Sequence, residues 1–566
     1  MRQRIGEFLL RRLEEAGVRH IFGVPGDYNL ELLQQLEDRR RPEWVGNCNE
    51  LNAAYAADGY ARMNGLGALF VTEGVGALSA MNGIAGAYCE HVPVICVCGS
   101  IPQEAIDCGW LMHHTMADGS EGRFYRAFAE VTLAQARLTP ENAVVEIDRL
   151  ILAAWRQKLP VYMELPSDMG YVEVDVPETP LVLSYALSDE ESLERCCEKI
   201  VARLQHASRP ALLLDIDADR FGVMGQVAAL ADRLQLAVAT MPGSKGIFCE
   251  QSPLFAGVYC GACSAPAVRQ VVESSDCLLT IGYRRVDSTS GTFTDDLPGN
   301  AIHLNAQSVC MEDDNFEDIF PGELLSRLVR EAEARPKRPC AVVESTQAEQ
   351  FELSQRPLSQ REYWQAMQGF IQPGDLLIAE NGTSGAGVAG LRLPCRSTLI
   401  TQAVWGSIGY SLGCLLGTLM AAPERRQILF IGDGSFQLTA QELSTILRYG
   451  LKPYIFLINN GGYTIERTIL GRTAKYNDIA NWRYTELVKS LSRTREIETF
   501  VVRHSEELEA VLSSSHRGMV FVELVMDPMD APVGLIRGMR AIANLDYGPS
   551  GPQRTLGAQI TEAEVR

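Results

Sequence analysis

Apolar strands that run straight into glycine turns and then into helices recur through this chain, and the pattern starts afresh twice. A helical stripe of Phe8, Leu9, Leu10 and Leu13 precedes His20-Ile21-Phe22-Gly23-Val24-Pro25-Gly26, which reads as a short buried strand entering a turn. Ala68-Leu69-Phe70-Val71-Thr72 is strand-like, Gly74-Val75-Gly76 is a turn, Ala77 to Tyr88 is a small-residue helix, and Val92 to Val97 is the next strand. Strands alternating with helices predict α/β architecture with a parallel, doubly wound sheet. The same grammar restarts at Pro210 to Asp215 and Asp276 to Gly282, and again at Asp375 to Glu380 and Gln427 to Gly432. At ~100–200 residues per domain, the 566 residues accommodate three such domains. Linker-like stretches lie near 176–190, with Pro177 and Pro180, and near 333–358, with Pro336 and Pro339. The expected division is therefore 1–178, 190–335 and 358–545, followed by a polar tail, 546–566.

The chemistry is concentrated in Ile431-Gly432-Asp433-Gly434-Ser435 and Leu457-Ile458-Asn459-Asn460-Gly461-Gly462. An apolar strand delivers Asp433 to its C-terminal end, where open α/β sheets bind ligands. A helix from Thr439 to Tyr449 and a strand from Tyr454 to Ile458 make one βαβ unit of the intervening stretch, which brings Asn460 to the same edge. A lone Gly-Asp-Gly would be an ordinary turn; two such turns on one edge are not. A carboxylate, an amide oxygen and a backbone carbonyl suit magnesium, which takes oxygen ligands and completes its shell from phosphate and water.

With Gly-Asp-Gly, this spacer and Asn-Asn in place, the chain resembles the thiamine-diphosphate enzymes, and among them the pyruvate and indolepyruvate decarboxylases. The matching stretches include Phe22-Gly23-Val24-Pro25-Gly26-Asp27-Tyr28-Asn29, Asn49-Glu50-Leu51-Asn52-Ala53, His113-His114-Thr115, Trp405-Gly406-Ser407-Ile408-Gly409 and Gly462-Tyr463-Thr464-Ile465-Glu466. The resemblance implies three domains of the thiamine-diphosphate enzyme type. It implies a cofactor clamped between the first domain of one chain and the third of another, in a homodimer or homotetramer. Glu50 would protonate the aminopyrimidine ring, and the Gly406 carbonyl would meet its amine. Ile408 would force the two rings into a bent pose that brings the amine to the reacting carbon. Asp433, Asn460 and the Gly462 carbonyl would hold Mg2+. Thr72, Gly382, Thr383, Gly434 and Ser435 would contact the cofactor. Asp27, His113, His114 and Glu466 would form the catalytic set on the substrate side. Protonation and aldehyde release after decarboxylation need groups titrating near neutrality, which histidine–carboxylate pairs supply; the chain has only 8 histidines, and two of them are adjacent here.

Relatives specific for pyruvate narrow their pocket with two aromatic rings. The matching positions are Gly385 and, less sharply aligned, Ser288; Ala386 is also small, and Ile465 and Ile469 would complete the pocket wall. The expected substrate is therefore a bulky 2-keto acid, phenylpyruvate or indolepyruvate, with pyruvate and branched-chain acids as alternatives. Two positions depart from the family: Glu73 stands where an aromatic residue is common, and Leu535-Ile536-Arg537-Gly538-Met539-Arg540 is less apolar than the closing helix of relatives. A thiamine-dependent carboligase and a silent scaffold are the rival readings. The histidine pair with Glu466 argues against the first, and the intact Glu50 and Asp433 argue against the second.

Composition bounds the partners. The formal net charge of −20 repels nucleic acid and anionic membranes, so an acidic substrate must be attracted locally. The N-terminus has no signal-peptide core, and no apolar run spans a bilayer. The 15 cysteines are scattered through apolar segments without zinc-site spacing. They are expected to be buried free thiols of a cytoplasmic protein.

Overall fold

The computed structural model describes residues 1–185, 187–312, 314–336, 356–493 and 497–547. Residues 337–355 of the second expected linker and the tail from 548 lie outside these. The chain gathers into two compact units. One is Met1–Tyr185 joined by Gly409–Glu424 and Thr439–Leu451; the other holds Ala186–Ile408, Arg425–Leu438 and the chain from Lys452.

The first unit is built on a six-stranded sheet in the order Glu43–Gly46, His20–Gly23, Gly67–Thr72, Val94–Ser100, Val161–Pro166, Ala134–Arg137. Every neighbouring pair is parallel. Its inner strands are buried along their whole length, which is why they read as unbroken apolar runs. The helix Glu50–Asn64 packs against Tyr410–Ala421 so closely that a Cβ on Gly417 would lie 1.9 Å from the Ala56 carbonyl oxygen. Arg62 and Asp58 form a buried ion pair at 2.6 Å, and the Tyr410 hydroxyl donates to the same carboxylate.

The second unit carries two sheets. One runs Thr398–Ile400, Leu376–Ala379, Gln427–Gly432, Tyr454–Asn459, Met519–Val525, Ile497–Val502, again all parallel. Numbered along the chain, its strands lie in the order 2-1-3-4-6-5, which is also the order in the first unit's sheet. The other is seven-stranded and corrects the expectation of a purely parallel middle sheet: Ser308–Met311 and Asp314–Glu317 add antiparallel to its edge. Two residues separate these strands, too few for the crossover a parallel pair needs.

The expected helix from Thr439 to Tyr449 also differs. The chain turns helical at once over Asp433–Thr439, passes through a tight turn at Ala440–Glu442, and resumes as Leu443–Arg448. The Asp433 carboxylate accepts the Gly434 N–H at 2.8 Å, anchoring the start. No helix among the described residues is long and apolar enough to cross a membrane.

The cysteines correct the sequence expectation further. Cys249 and Cys395 form a disulfide with a Cα separation of 5.0 Å. Their loops are held together by the buried Lys245–Glu250 pair, whose ammonium donates to the Leu391 carbonyl and whose carboxylate accepts the Leu393 N–H. Cys48, Cys108 and Cys263 are exposed rather than buried.

Candidate active site

Open parallel sheets bind ligands where the strand order reverses, beyond the carboxyl ends of the two strands at that point. In the first unit these strands are His20–Gly23 and Gly67–Thr72. Asp27 follows the first and Thr72 closes the second. A Cβ on Gly26 would lie 2.6 Å from the Thr72 side chain, so the two chain segments touch. Thr72 is buried, and its hydroxyl has no protein partner.

The Asp27 carboxylate is 2.6 Å from His113 Nε2 and 3.8 Å from His114 Nε2. The two imidazole centroids are 4.5 Å apart. Tyr28 is buried beneath them, and its hydroxyl lies 3.1 Å from both His113 Nδ1 and the His113 carbonyl. Burial, with Asp27 and Glu73 nearby, pushes the phenol up to about 12, so it stays protonated as a donor. The histidine loop is pinned from behind at a glycine: His114 has φ +60°, and a Cβ on Gly74 would lie 1.9 Å from its carbonyl oxygen. Asp27 and His113 are exposed, and His114 is half-buried.

Glu50 occupies the first turn of its helix, capped by Asn49, whose side chain accepts the Asn52 N–H. It is half-buried rather than buried. The approach to it is fixed by Glu442, a fully buried carboxylate that accepts from Asn47 Nδ2 at 2.9 Å, Asn52 Nδ2 at 2.8 Å and the Cys48 N–H at 3.3 Å. Sequence reasoning missed Glu442 and Tyr28. Tyr28 stood beside Asp27 in a quoted motif; nothing local marked Glu442, whose partners are some 390 residues away in the chain. Glu73, the departure after Thr72, is buried and accepts the Ile101 N–H at 2.8 Å. Burial raises its pKa, against the pull of that N–H and of Arg137.

In the second unit the strand order reverses between Leu376–Ala379 and Gln427–Gly432. Gly382 and Thr383 follow the first strand, and Asp433, Gly434 and Ser435 follow the second. Asp433 is buried, its outer oxygen accepts the Gly461 N–H at 2.7 Å, and burial lifts its carboxyl to about 6. Asn460 lies beside it. The Thr464 hydroxyl is 2.9 Å from the Pro528 carbonyl, which can only accept, so the hydroxyl proton goes there. Its lone pair then accepts Asn460 Nδ2 at 2.8 Å. In that orientation the amide oxygen lies 2.9 Å from the Gly462 carbonyl and 3.3 Å from Asp433 Oδ1; with the amide turned over, its nitrogen donates to both. The first orientation offers three oxygens to one cation, and the second needs none. The residues fit a divalent cation.

Ser384 Oγ and Asn381 Nδ2 are buried at the same edge without protein partners, as groups that await a ligand would be. Gly406, with φ +67°, is exposed, and its added Cβ would lie 3.5 Å from Asn381 Nδ2. Ile408 is half-buried. Glu466 is exposed on the helix Thr464–Ile469, flanked by half-buried Ile465 and Ile469. Ile465 Cγ2 lies 4.0 Å from the Cβ position of Gly382. Gly385 and Ala386 sit on the helix Thr383–Ala389, whereas Ser288 is exposed in a segment of the seven-stranded sheet's domain.

Two reversal points of matching topology, one with a histidine–carboxylate cluster and one with an oxygen cage beside phosphate-type turns, define a thiamine-diphosphate enzyme. The comparisons agree. Residues 3–121 match the thiamine pyrophosphate enzyme N-terminal TPP binding domain, 197–319 its central domain and 382–524 its C-terminal TPP binding domain. An alpha-keto-acid decarboxylase of Mycobacterium avium is 39% identical over 95% of this chain and 96% of its own length. Pyruvate decarboxylase isozyme 2 of Saccharomyces cerevisiae is 38% identical over 94% of this chain and 97% of its own. The chain belongs to the thiamine-diphosphate-dependent 2-keto acid decarboxylase family.

Proposed function

We propose that the chain converts a bulky 2-keto acid, phenylpyruvate or indolepyruvate in first place, to the aldehyde and carbon dioxide, with Mg2+ anchoring the cofactor. The observation that carries the substrate choice is the space at Gly385. A Cβ there would meet only the Glu380 backbone, its carbonyl oxygen at 3.0 Å, and no side chain within 4 Å. An aryl group entering such space gains ~25 cal/mol per Å² of apolar surface buried. Ala386, Ile465, Ile469 and Ser288 would line the remainder.

Bound thiamine diphosphate supplies a carbanion at its thiazolium carbon and an electron sink for the departing carboxylate. The chain supplies the rest. Asp433, Asn460 and the Gly462 carbonyl would hold the cation. Ser435, Gly434, Thr383 and Gly382 would contact the diphosphate, and Thr72 would contact the cofactor. Glu50 would hold a proton toward the pyrimidine ring, the Gly406 carbonyl would accept from its amine, and Ile408 would pack against the cofactor. Glu466 disfavours a charged carboxylate beside it and so favours its loss as carbon dioxide. Asp27, His113 and His114 deliver the proton that replaces carbon dioxide and assist aldehyde release, with Tyr28 orienting His113.

The working form is a homodimer or homotetramer in the cytoplasm. Two patches support a covering copy: Val75, Leu78 and Tyr88 are exposed on the helix Val75–Cys89, and Trp110, Leu111 and Met116 are exposed around the histidines. Activity regained on mixing Glu50→Gln with Asp433→Ala chains would support a site shared between copies, and none regained would exclude it. The substrate is tested by kcat/KM for pyruvate, 2-ketoisovalerate, phenylpyruvate and indolepyruvate. Aryl substrates should lead; pyruvate at the top would overturn the choice and leave the decarboxylase assignment standing.

A further inference from the structure

Cys260-Gly261-Ala262-Cys263 follows the strand Phe255–Val258 on the outer edge of the seven-stranded sheet. The Cys263 N–H donates to the Cys260 carbonyl at 3.0 Å, closing a β-turn. Such a turn brings its first and fourth Cα atoms within about 7 Å, overlapping the span of about 4.4–6.8 Å that a disulfide needs. The turn is held by its surroundings: the Cys260 N–H donates to Ser264 Oγ at 2.6 Å, the Ala262 N–H donates to Thr294 Oγ1 at 2.9 Å, and the Ser264 N–H donates to the Gly261 carbonyl at 3.1 Å.

The pair is asymmetric. Cys263 is exposed and Cys260 is half-buried, and neither is in a disulfide. The neighbouring Cys263 thiol, together with burial, holds the Cys260 thiol above its ordinary range. An accessible sulfur backed by a shielded one is the arrangement that thiol–disulfide exchange requires. Other near neighbours lack it: Cys96 and Cys98 are both fully buried in a central strand, and Cys196 and Cys197 are both fully buried in a helix.

We propose that Cys260 and Cys263 form a vicinal dithiol site that low-molecular-weight disulfides oxidise to an intramolecular disulfide. The Cys263 thiolate attacks one sulfur of the small disulfide, forming a mixed disulfide and expelling one thiolate. Cys260, its proton passing to the departing thiolate, then attacks the Cys263 sulfur, forming the internal bond and expelling the second thiol. The two protein thiols are oxidised, the small disulfide is reduced to two thiols, and the protons lost by the cysteines end on those products.

The test is site-resolved mass spectrometry of the holoenzyme after incubation with glutathione disulfide and alkylation of the remaining thiols. The 260–263 segment should lose two hydrogens and retain no glutathione, and prior treatment with phenylarsine oxide, which bridges paired thiols, should block this. Cys260→Ser should trap glutathione on Cys263, and Cys263→Ser should prevent both products at this turn. An unmodified pair, or a lasting glutathione adduct on Cys263 in the unsubstituted protein, would overturn the proposal.

Discussion

The two six-stranded sheets, taken below as the first and third in chain order, share the strand order 2-1-3-4-6-5, and each offers its candidate site residues at the same reversal point, yet the two points are built in opposite ways. At the third sheet the functional carboxylate is buried, and backbone N–H groups from two turns fix both its oxygens. At the first sheet Asp27 and His113 are exposed, and the cluster stands on a long loop between short helices. A cage for a cation must be formed before the ion arrives, because the ion rewards geometry. A proton relay must reach substrate and exchange protons with solvent, so exposure there costs little and burial would shift its titration. In the proposed function, one topology thus serves a rigid anchor and an accessible relay.

Asp433→Ala should break the comparison at its rigid end and have the largest effect. The protein should fail to retain cofactor on gel filtration and lose activity at or beyond ~10⁴-fold, the upper range for a single acid–base group. Retention of cofactor by this variant would remove Asp433 from the cage. Asp27→Asn and His114→Ala should come next. Each should cut turnover ~10²–10⁴-fold while cofactor affinity, read by titration of protein fluorescence, stays near that of the unsubstituted chain. Loss of affinity in step with turnover would erase the distinction between the two ends.

Much of this contrast was legible in the sequence, though not its cause. Asp433 and Asn460 could be placed on one edge because a single βαβ unit joins them, and local chain connectivity dictates that. The orientation of the Asn460 amide could not be, because it depends on Thr464 and on Pro528, a residue from beyond the next strand of the sheet. The Asp27–His113 contact rested on resemblance alone, since a long stretch of chain separates the two. Glu442 was invisible because its partners come from the other end of the chain. The antiparallel edge of the middle sheet and the Cys249–Cys395 bond were misread for similar reasons. The first was set by a short connection inside a segment read for its strands only, and the second by loops that two different sheets bring together.

Smaller effects sharpen the account. Gly385→Phe should lower kcat/KM for phenylpyruvate by ~10–200-fold, the range for steric discrimination in an apolar pocket, and leave pyruvate nearly unchanged. Equal losses on both substrates would mean that Gly385 does not face the substrate. Glu73→Gln should give the smallest change. Burial raises the Glu73 pKa in the folded chain, so the protonated form favours folding and that contribution is lost as pH rises through the folded pKa. The Gln variant should therefore melt higher than the unsubstituted protein at neutral pH. The gap should close below about pH 4, where the carboxyl is neutral in the unfolded chain as well. A gap independent of pH would show that Glu73 acts through packing alone.

The central claim, that the cage holds the cofactor while the histidine cluster handles protons after carbon dioxide has left, is tested most directly by single-turnover kinetics of the His114→Ala holoenzyme. Carbon dioxide and aldehyde would be quantified separately from one equivalent of phenylpyruvate, or of whichever keto acid the panel ranks first. The account predicts carbon dioxide released near the rate of the unsubstituted enzyme and aldehyde released far more slowly. Slowing of both products to the same extent would contradict it.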